Sequence, residues 1–176
     1  DAPTPEPAPG PEVTSNCSAP SSAVAHQSFT IDVDGVTRSY RLSVPETDAG
    51  TPLSLMVAFH GGGDAGLPFP QRDLFADLGQ QHGIINLYLD EVVFPGNEGG
   101  WVLNTGEGRM QDIHFIEAVI EHLSSEYCLD QRHMYAVGYS LGGMYSYEAA
   151  CHLNHRFSGI VSVAGSMPLN PTSCEL

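Results

Sequence analysis

The chain has 176 residues and a mass of 18.8 kDa, which is the length of one domain with a sizeable core. Its formal net charge is −15 and it contains no lysine, so it lacks the basic patch that a nucleic-acid partner requires. No apolar run approaches the roughly 20 residues of a membrane-spanning helix, which argues against a membrane span.

The chain begins with a proline-rich segment, DAPTPEPAPGPE, which has no aromatic side chain. This composition is typical of an extended linker. We assign residues 1–27 to a linker that separates the domain from a secretion signal or membrane anchor, and residues 28–176 to a catalytic domain. Asn16, Cys17 and Ser18 form a formal N-glycosylation sequon.

The first predicted elements are strands. Alternation on both sides of Asp34-Gly35 predicts a β-hairpin over residues 28–45. The run LSLMVAF (53–59) is apolar throughout, as in a strand buried on both faces, and it leads directly into HGGGDAG. A short helix and a second buried strand follow, over residues 71–83 and 84–89.

The second half of the chain alternates between helix and strand. The clearest helix has apolar residues on one face of a 3.6-residue period: Ile113, Ile116, Ile120, Leu123 and Tyr127. A third buried strand (134–139), a helix from about Leu141 to Leu153 and a fourth strand (159–165) follow. This order predicts an α/β fold, a mostly parallel sheet with helices on both faces.

The segment GYSLG (138–142) has the form G-x-S-x-G and joins an apolar strand to an apolar helix, as a nucleophile elbow does. The turn of such an elbow is strained and needs small flanking residues, which Gly138 and Gly142 supply. The serine oxygen then lies at a helix N-terminus, where backbone N–H groups favour negative charge. The pattern predicts that Ser140 is a catalytic nucleophile.

Acyl transfer also requires hydrogen-bond donors for the oxyanion. One predicted donor is the backbone N–H of Leu141, directly after the nucleophile. The other comes from the HGGG segment, where glycines let the backbone approach a ligand closely; Gly62 is the first choice and Gly61 the second. His60 ends the strand beside this loop, so we expect it to position the loop and not to act as the base.

The segments VAFHGGGDAG, GGWVLNTG and QDIHFIEAVIEHLSSEYCLDQRHMYAVGYSLGGMYSYEAACHLNHRFSGIVSVAGSM resemble the secreted α/β-hydrolase esterases of the polyhydroxybutyrate depolymerase and feruloyl esterase group. The similarity covers about residues 28–170, with the motifs in the family's order. It implies an α/β-hydrolase fold, a nucleophile at Ser140 and a structural role for Asp112. The chain departs from the family's pattern at Gln111 and at Ile113-His114, which leaves the substrate open.

Three residues are candidates for substrate contact. Tyr139 is adjacent to the nucleophile, and His60 lies beside the oxyanion loop. The resemblance implies that Trp101 lines the acyl or aromatic pocket, although it could equally anchor its own loop.

The base that would activate Ser140 is missing. In these hydrolases the order along the chain is Ser, then Asp or Glu, then His, yet none of the eight histidines lies after His155. Glu175 would be an acid placed early, as in some hydrolases, and is the less favoured alternative. We therefore expect the triad acid and histidine downstream of Leu176, with this chain as the N-terminal two-thirds of a longer enzyme.

Four cysteines, an even number, favour two disulfides and an oxidising compartment, and hence a secreted or extracytoplasmic protein. Two predicted helices should end at the amino end of the sheet, which favours a Cys128–Cys151 pair. Cys17–Cys174 is then possible, and either cysteine could instead pair with one beyond Leu176.

These observations predict a secreted serine esterase acting through an acyl-enzyme, on a polyester, a feruloyl ester or an acetyl ester. Acyl transfer to an alcohol and an inactive binding module on a hydrolase scaffold are the alternatives. We expect no cofactor. We also expect no metal site, because His152 and His155, which lie three residues apart at a helix end, have no third ligand nearby. The sequence does not indicate an oligomeric state.

Overall fold

The computed structural model describes residues 16–63, 75–91, 100–103 and 110–167. Six strands of this part form one sheet in the order β1-β2-β4-β3-β5-β6. The strands are β1 (Val24–Val33), β2 (Val36–Val44), β3 (Leu53–Phe59), β4 (Ile84–Leu89), β5 (Leu129–Tyr139) and β6 (Gly159–Val163). The helices are α1 (Phe75–His82), α2 (Gln111–Glu126) and α3 (Leu141–His152).

The sheet begins with the predicted hairpin. β1 and β2 pair antiparallel through Asp34 and Gly35, whose φ angles of 52° and 78° are those of the tight turn that suits a hairpin. β1 already begins at Val24, within the segment predicted as linker. β2 is also antiparallel to β4, whereas β4, β3, β5 and β6 are parallel to one another, which confirms the mostly parallel sheet.

Helices cover both faces of the sheet, as predicted. α2 and α3 pack on the face formed by Leu55, Val57 and Phe59, in one large core. Phe75 of α1 packs on the opposite face, against Ala58, Tyr88 and Val137. Burying both faces requires the continuous apolar runs seen in the sequence, and each large side chain contributes about 1.5–3 kcal/mol. In the described part of the chain, no helix is long and apolar enough to cross a membrane.

The face that carries α1 is only partly covered. Four apolar or aromatic residues of β5 and β6 are more exposed than their neighbours along the strands: Tyr135, Tyr139, Val161 and Val163, at 38%, 51%, 54% and 50%. They face the same side because Tyr139 pairs with Val163 and side chains alternate along a strand. The result is an apolar patch over the two strands at the β6 edge of the sheet.

β5 is longer than predicted, since it starts at Leu129 and not at residue 134. The first half of β5 is polar, and its polar side chains bind one another. Asp130 accepts hydrogen bonds from Arg132 Nε at 2.9 Å and from His133 Nδ1 at 2.7 Å. The Arg132 guanidinium holds the pKa of Asp130 well below its usual range. Local ion pairing therefore replaces the apolar pattern from which a strand is predicted.

The disulfide pairing differs from the prediction. Cys17 is bonded to Cys128, so the predicted Cys128–Cys151 and Cys17–Cys174 pairs are both wrong. Cys151 is also disulfide-bonded, and Cys174 lies outside the described residues. The physical reason is the path of the chain before β1. Asn16 Nδ2 donates to the carbonyl oxygens of Ser125 at 2.7 Å and Glu126 at 3.0 Å, which places Cys17 at the end of α2.

Replacing both Cys17 and Cys128 by serine in the full-length protein is expected to lower the free energy of unfolding by roughly 2–4 kcal/mol. The bond joins residues 111 positions apart, so its loss releases a long loop in the unfolded chain. Urea unfolding of the double variant measures the loss, with Ser18→Ala, an exposed neighbour, as the control. An unchanged midpoint would contradict the expectation.

Candidate active site

The carboxyl ends of three parallel strands bring the predicted site residues to one edge of the sheet. Phe59 at the end of β3 pairs with Gly138 of β5, and Tyr139 pairs with Val163 at the end of β6. The residues that follow, His60 and Ser140, therefore begin neighbouring connections. In open α/β sheets this edge is where ligands bind.

Ser140 has a strained backbone, as the predicted nucleophile elbow requires. Its φ and ψ are 53° and −117°, a combination that non-glycine residues rarely adopt. Hydrogen bonds hold it there: Ser140 N donates to Val163 O at 2.8 Å, and Met144 N donates to Ser140 O at 3.0 Å. The side chain makes no capping hydrogen bond to α3, and the first turn of that helix has no acidic residue. The hydroxyl thus lies at a helix N-terminus that favours an anion.

Gly138 and Gly142 are required by the close approach of the backbone around the turn. A Cβ on Gly138 would collide with the carbonyl of Gly142, and a Cβ on Gly142 would collide with the carbonyl of Phe59. Neither obstacle is a flexible side chain. Any larger residue would therefore displace the turn that presents Ser140.

The two regions predicted to donate to an oxyanion lie side by side. A Cβ built on Gly62 would be 3.5 Å from Leu141 Cδ2, an ordinary contact distance. Gly61 is held by His60, whose Nδ1 lies 2.8 Å from the Gly61 carbonyl oxygen. The structure thus brings the glycine loop against the residue that follows Ser140.

His60 and Trp101 form the buried floor beneath this loop, at 2% and 4% exposure. Trp101 Nε1 donates to His60 O at 3.0 Å, and the two rings lie 4.9 Å apart. Trp101 also stacks on Tyr145 at 5.0 Å and meets Phe59 edge-on at 5.1 Å. Trp101 therefore anchors its own segment to the core. Of the three candidates for substrate contact, Tyr139 is the exposed one, at 51%.

Asp112 links the Trp101 segment to the sheet. Its carboxylate accepts from Arg38 Nη2 at 2.8 Å and from the backbone N–H of Val102 at 3.1 Å. Arg38 also lies 4.1 Å above the ring of Phe115. Burial raises the pKa of nearby Tyr145 well above its usual value, and the Asp112 carboxylate adds to that effect. Asp112 thus has the structural role that the resemblance implied, as the centre of a buried ion pair.

Two buried charged residues of this region escaped sequence reasoning. Arg38 is 3% exposed, and Glu91 has a fully buried side chain whose Oε2 lies 3.4 Å from His60 Nε2. A signal for Glu91 was present, since the acidic pair Asp90-Glu91 directly follows a buried strand at the site edge. Arg38 lies within an alternating strand and gave no comparable signal.

All eight histidines fall within the described residues, and none of their recorded contacts involves Ser140. The contacts of the imidazole rings are with Ser43, Gly61, Glu91, Trp101, Tyr88, Asp34, Asp130, Glu148 and Glu117. In addition, the backbone carbonyl oxygen of His122 accepts a hydrogen bond from Ser125 Oγ. His152 and His155 contact separate carboxylates, each at 3.6 Å. Within the same ranges no group of three or more side chains could hold a metal ion. Glu175 lies outside them.

The known proteins to which this chain is similar are described as hydrolases and esterases. Residues 101–175 match the model of the prolyl oligopeptidase family. The chain is 30% identical over 148 residues to a putative esterase of Nocardia uniformis subsp. tsuyamanensis, covering 79% of this chain and 41% of the relative. It is 33% identical over 134 residues to feruloyl esterase C of Emericella nidulans, covering 74% and 47%. The chain thus spans less than half the length of these curated relatives.

The fold itself recurs in solved structures of esterases. An acetyl xylan esterase from Aspergillus awamori superposes with a TM-score of 0.62 at 21% identity, over 77% of this chain and 53% of that one. A ferulic acid esterase gives a TM-score of 0.65 at 14% identity, over 79% and 59%.

The strand order and the structural neighbours together show the α/β-hydrolase fold that was predicted. The predicted resemblance to esterases is confirmed as well. The chain is a relative of the esterases that include the fungal feruloyl esterases.

Proposed function

We propose that the full-length protein is a serine esterase that cleaves carboxylic esters through an acyl-enzyme on Ser140. The observation that carries the proposal is the backbone of Ser140, with its φ of 53° at the junction of β5 and α3. Strain of this kind persists only where the surrounding structure imposes it, and such residues cluster at active sites. Here two glycines and two backbone hydrogen bonds impose it.

In the proposed reaction Ser140 Oγ gives its proton to a base and attacks the ester carbonyl carbon. The carbonyl π electrons move to oxygen, and the backbone N–H groups of Leu141 and Gly62 donate to that oxyanion, with Gly61 as the alternative second donor. The tetrahedral intermediate expels the alcohol, which takes the proton from the base. Water then hydrolyses the acyl-enzyme by the same steps in reverse order.

We propose that the triad acid and histidine come from sequence downstream of Leu176. Three observations support this. The partners of the histidines given above do not include Ser140, and the chain spans under half of the relatives' length. The apolar patch of Tyr135, Tyr139, Val161 and Val163 also lies at the sheet edge where further chain would pack.

The proposed substrate is a polyester, a feruloyl ester or an acetyl ester. Names of relatives and structural neighbours favour the last two, since they include feruloyl esterases and an acetyl xylan esterase. Tyr139, with half of its surface exposed beside Ser140, is the proposed wall for the acyl group. His60 and Trp101 are buried, and we propose that they support the glycine loop of the site. The Cys17–Cys128 bond favours secretion into an oxidising compartment.

A fluorophosphonate probe tests the proposal, since it phosphonylates only an activated serine. We expect the full-length protein to be labelled and the label to map to the peptide that contains Ser140. Folded, unlabelled protein would overturn the esterase and favour the inactive binding module. Products formed from an ester with and without added alcohol then separate hydrolysis from acyl transfer.

A further inference from the structure

A second strained residue lies beside Ser140 at the same edge of the sheet. Ala164, the residue after β6, has a positive φ of 55°, which residues with a side chain rarely adopt. Tyr139 and Val163 end β5 and β6 and pair with each other, so the two strained residues begin neighbouring turns. Strain of this kind persists only where surrounding contacts hold it. The turn at Ala164 therefore needs such contacts, as the turn at Ser140 does.

A hydrogen bond joins the two turns. Ser140 N donates to the carbonyl oxygen of Val163 at 2.8 Å. This carbonyl belongs to the planar peptide between Val163 and Ala164, so its direction depends on the φ of Ala164. If Ala164 relaxed to a negative φ by rotation of that peptide, the Val163 oxygen would turn away from Ser140 N. The backbone conformation of Ser140 therefore depends on the turn that follows β6.

The hydroxyl group of Ser162 contacts both turns. Ser162 pairs with Gly138 across the two strands. Its Oγ lies 2.9 Å from the carbonyl oxygen of Gly143, in the first turn of α3, and 3.2 Å from that of Gly165, directly after Ala164. Carbonyl oxygens only accept, so the hydroxyl donates its hydrogen to them. One side chain thus connects the turn after β6 with the start of α3.

The backbone leaves room for only a small side chain around this hydroxyl. A Cβ on Gly143 would be 2.9 Å from Ser162 Oγ, and a Cβ on Gly165 would be 2.7 Å from it. A Cβ on Gly165 would also be 2.5 Å from the carbonyl carbon of Gly143. These two glycines therefore let the backbones of both turns approach until one short hydroxyl side chain can bond to each of them.

We propose that Ser162 is a positioning residue for the proposed nucleophile. It holds the turn at Ala164 against α3, and this turn keeps the Val163 carbonyl oxygen on Ser140 N. The inference rests on the proposed esterase and deepens it, because an attacking hydroxyl has to be presented in one orientation. Orientation of the nucleophile affects the chemical step more than substrate binding, so its loss lowers kcat more than it raises KM.

The test replaces Ser162 by alanine, which removes only the hydroxyl group. In the full-length protein, Ser162→Ala is expected to lower kcat per active site by about 5- to 50-fold, with KM changed less than about twofold. Titration with a fluorophosphonate probe counts the active sites. A purely structural role for Ser162 would lower the active fraction and the melting temperature but leave kcat per labelled site unchanged, and that result would overturn the inference. A rise in KM with constant kcat would overturn it as well.

Ser146→Ala is the matched control. Ser146 is buried, and its hydroxyl also donates to a glycine carbonyl in the first turn of α3, that of Gly142, at 3.0 Å. Both of these residues belong to the same helix, so the loss of their bond leaves the turn after β6 in place. The kcat of Ser146→Ala should therefore stay within about twofold of the wild type. Equal losses of kcat in Ser146→Ala and Ser162→Ala would contradict a specific role for Ser162.

Amide hydrogen exchange tests the same step without catalysis. The Ser140 amide of the wild type should exchange slowly, because it is bonded to Val163 O. Ser162→Ala should speed that exchange by about 3- to 10-fold relative to the amide of Val137, in the middle part of β5.

An unprotected Ser140 amide in the wild type would overturn the inference even if Ser162→Ala did not fold. An unchanged exchange ratio in folded Ser162→Ala would overturn it too. If the wild type hydrolyses no ester, the proposed function fails, and the exchange rates still decide whether Ser162 holds the turn.

Discussion

Ser140→Ala in the full-length protein is expected to lower kcat for ester hydrolysis by about 10⁴- to 10⁶-fold, because no other step can form the acyl-enzyme. KM should change little, since the hydroxyl contributes to the reaction and not to ground-state binding. The fold should persist because the hydroxyl makes no capping hydrogen bond to α3. Initial rates with aryl acetates and methyl ferulate measure the effect, and circular dichroism checks the fold.

Ser158→Ala is the control for this experiment. Its hydroxyl bonds the carbonyl of Arg132 just before β6, at the other end of that strand from the site. Activity should therefore remain within about twofold of the wild type. If folded Ser140→Ala kept more than a tenth of the wild-type rate, the nucleophile would lie elsewhere in the protein.

Asp112→Ala is expected to lower the free energy of unfolding by about 3–5 kcal/mol. The change leaves the Arg38 guanidinium buried at 3% exposure without its carboxylate partner, and it removes the acceptor of the Val102 N–H. Urea unfolding measures the loss. Trp101 lies next to Val102, so its fluorescence should also report a loosened environment before global unfolding.

An exposed ion pair supplies the comparison. His114 and Asp34 lie 2.6 Å apart but their side chains are 50% and 58% exposed, so Asp34→Ala should cost less than about 1 kcal/mol. The double variant Arg38→Met/Asp112→Leu removes both buried charges and should be more stable than Asp112→Ala. If Asp112→Ala and Asp34→Ala lowered the free energy of unfolding equally, burial would not determine how much an ion pair contributes to stability.

The strands could be predicted from sequence where both of their faces are buried. β3 and β4 are uninterrupted apolar runs, and the structure gives them the predicted bounds, Leu53–Phe59 and Ile84–Leu89. The first half of β5 could not be predicted, because Asp130 and its partners there satisfy one another through side-chain hydrogen bonds. Apolar patterning reports burial, so it does not detect strand residues whose side chains form ion pairs.

Site residues could be predicted where a motif constrains the backbone. The glycines at 138 and 142 indicate a turn in which only a small residue fits, and the structure has that turn around Ser140. Arg38 and Glu91 act through contacts with residues far along the chain, and such contacts leave no local pattern. The pairing of Cys17 with Cys128 was missed for the same reason, since it depends on where Asn16 meets the end of α2.

The Cys17–Cys128 bond also determines how the protein can be presented to a surface. Cys128 directly precedes β5, and Ser140 directly follows it, so the two lie at opposite ends of that strand. Asn16 and the disulfide therefore lie at the end of β5 remote from Ser140. Immobilising the domain through the segment that precedes Asn16 should therefore leave Ser140 facing away from the support, accessible to the proposed ester.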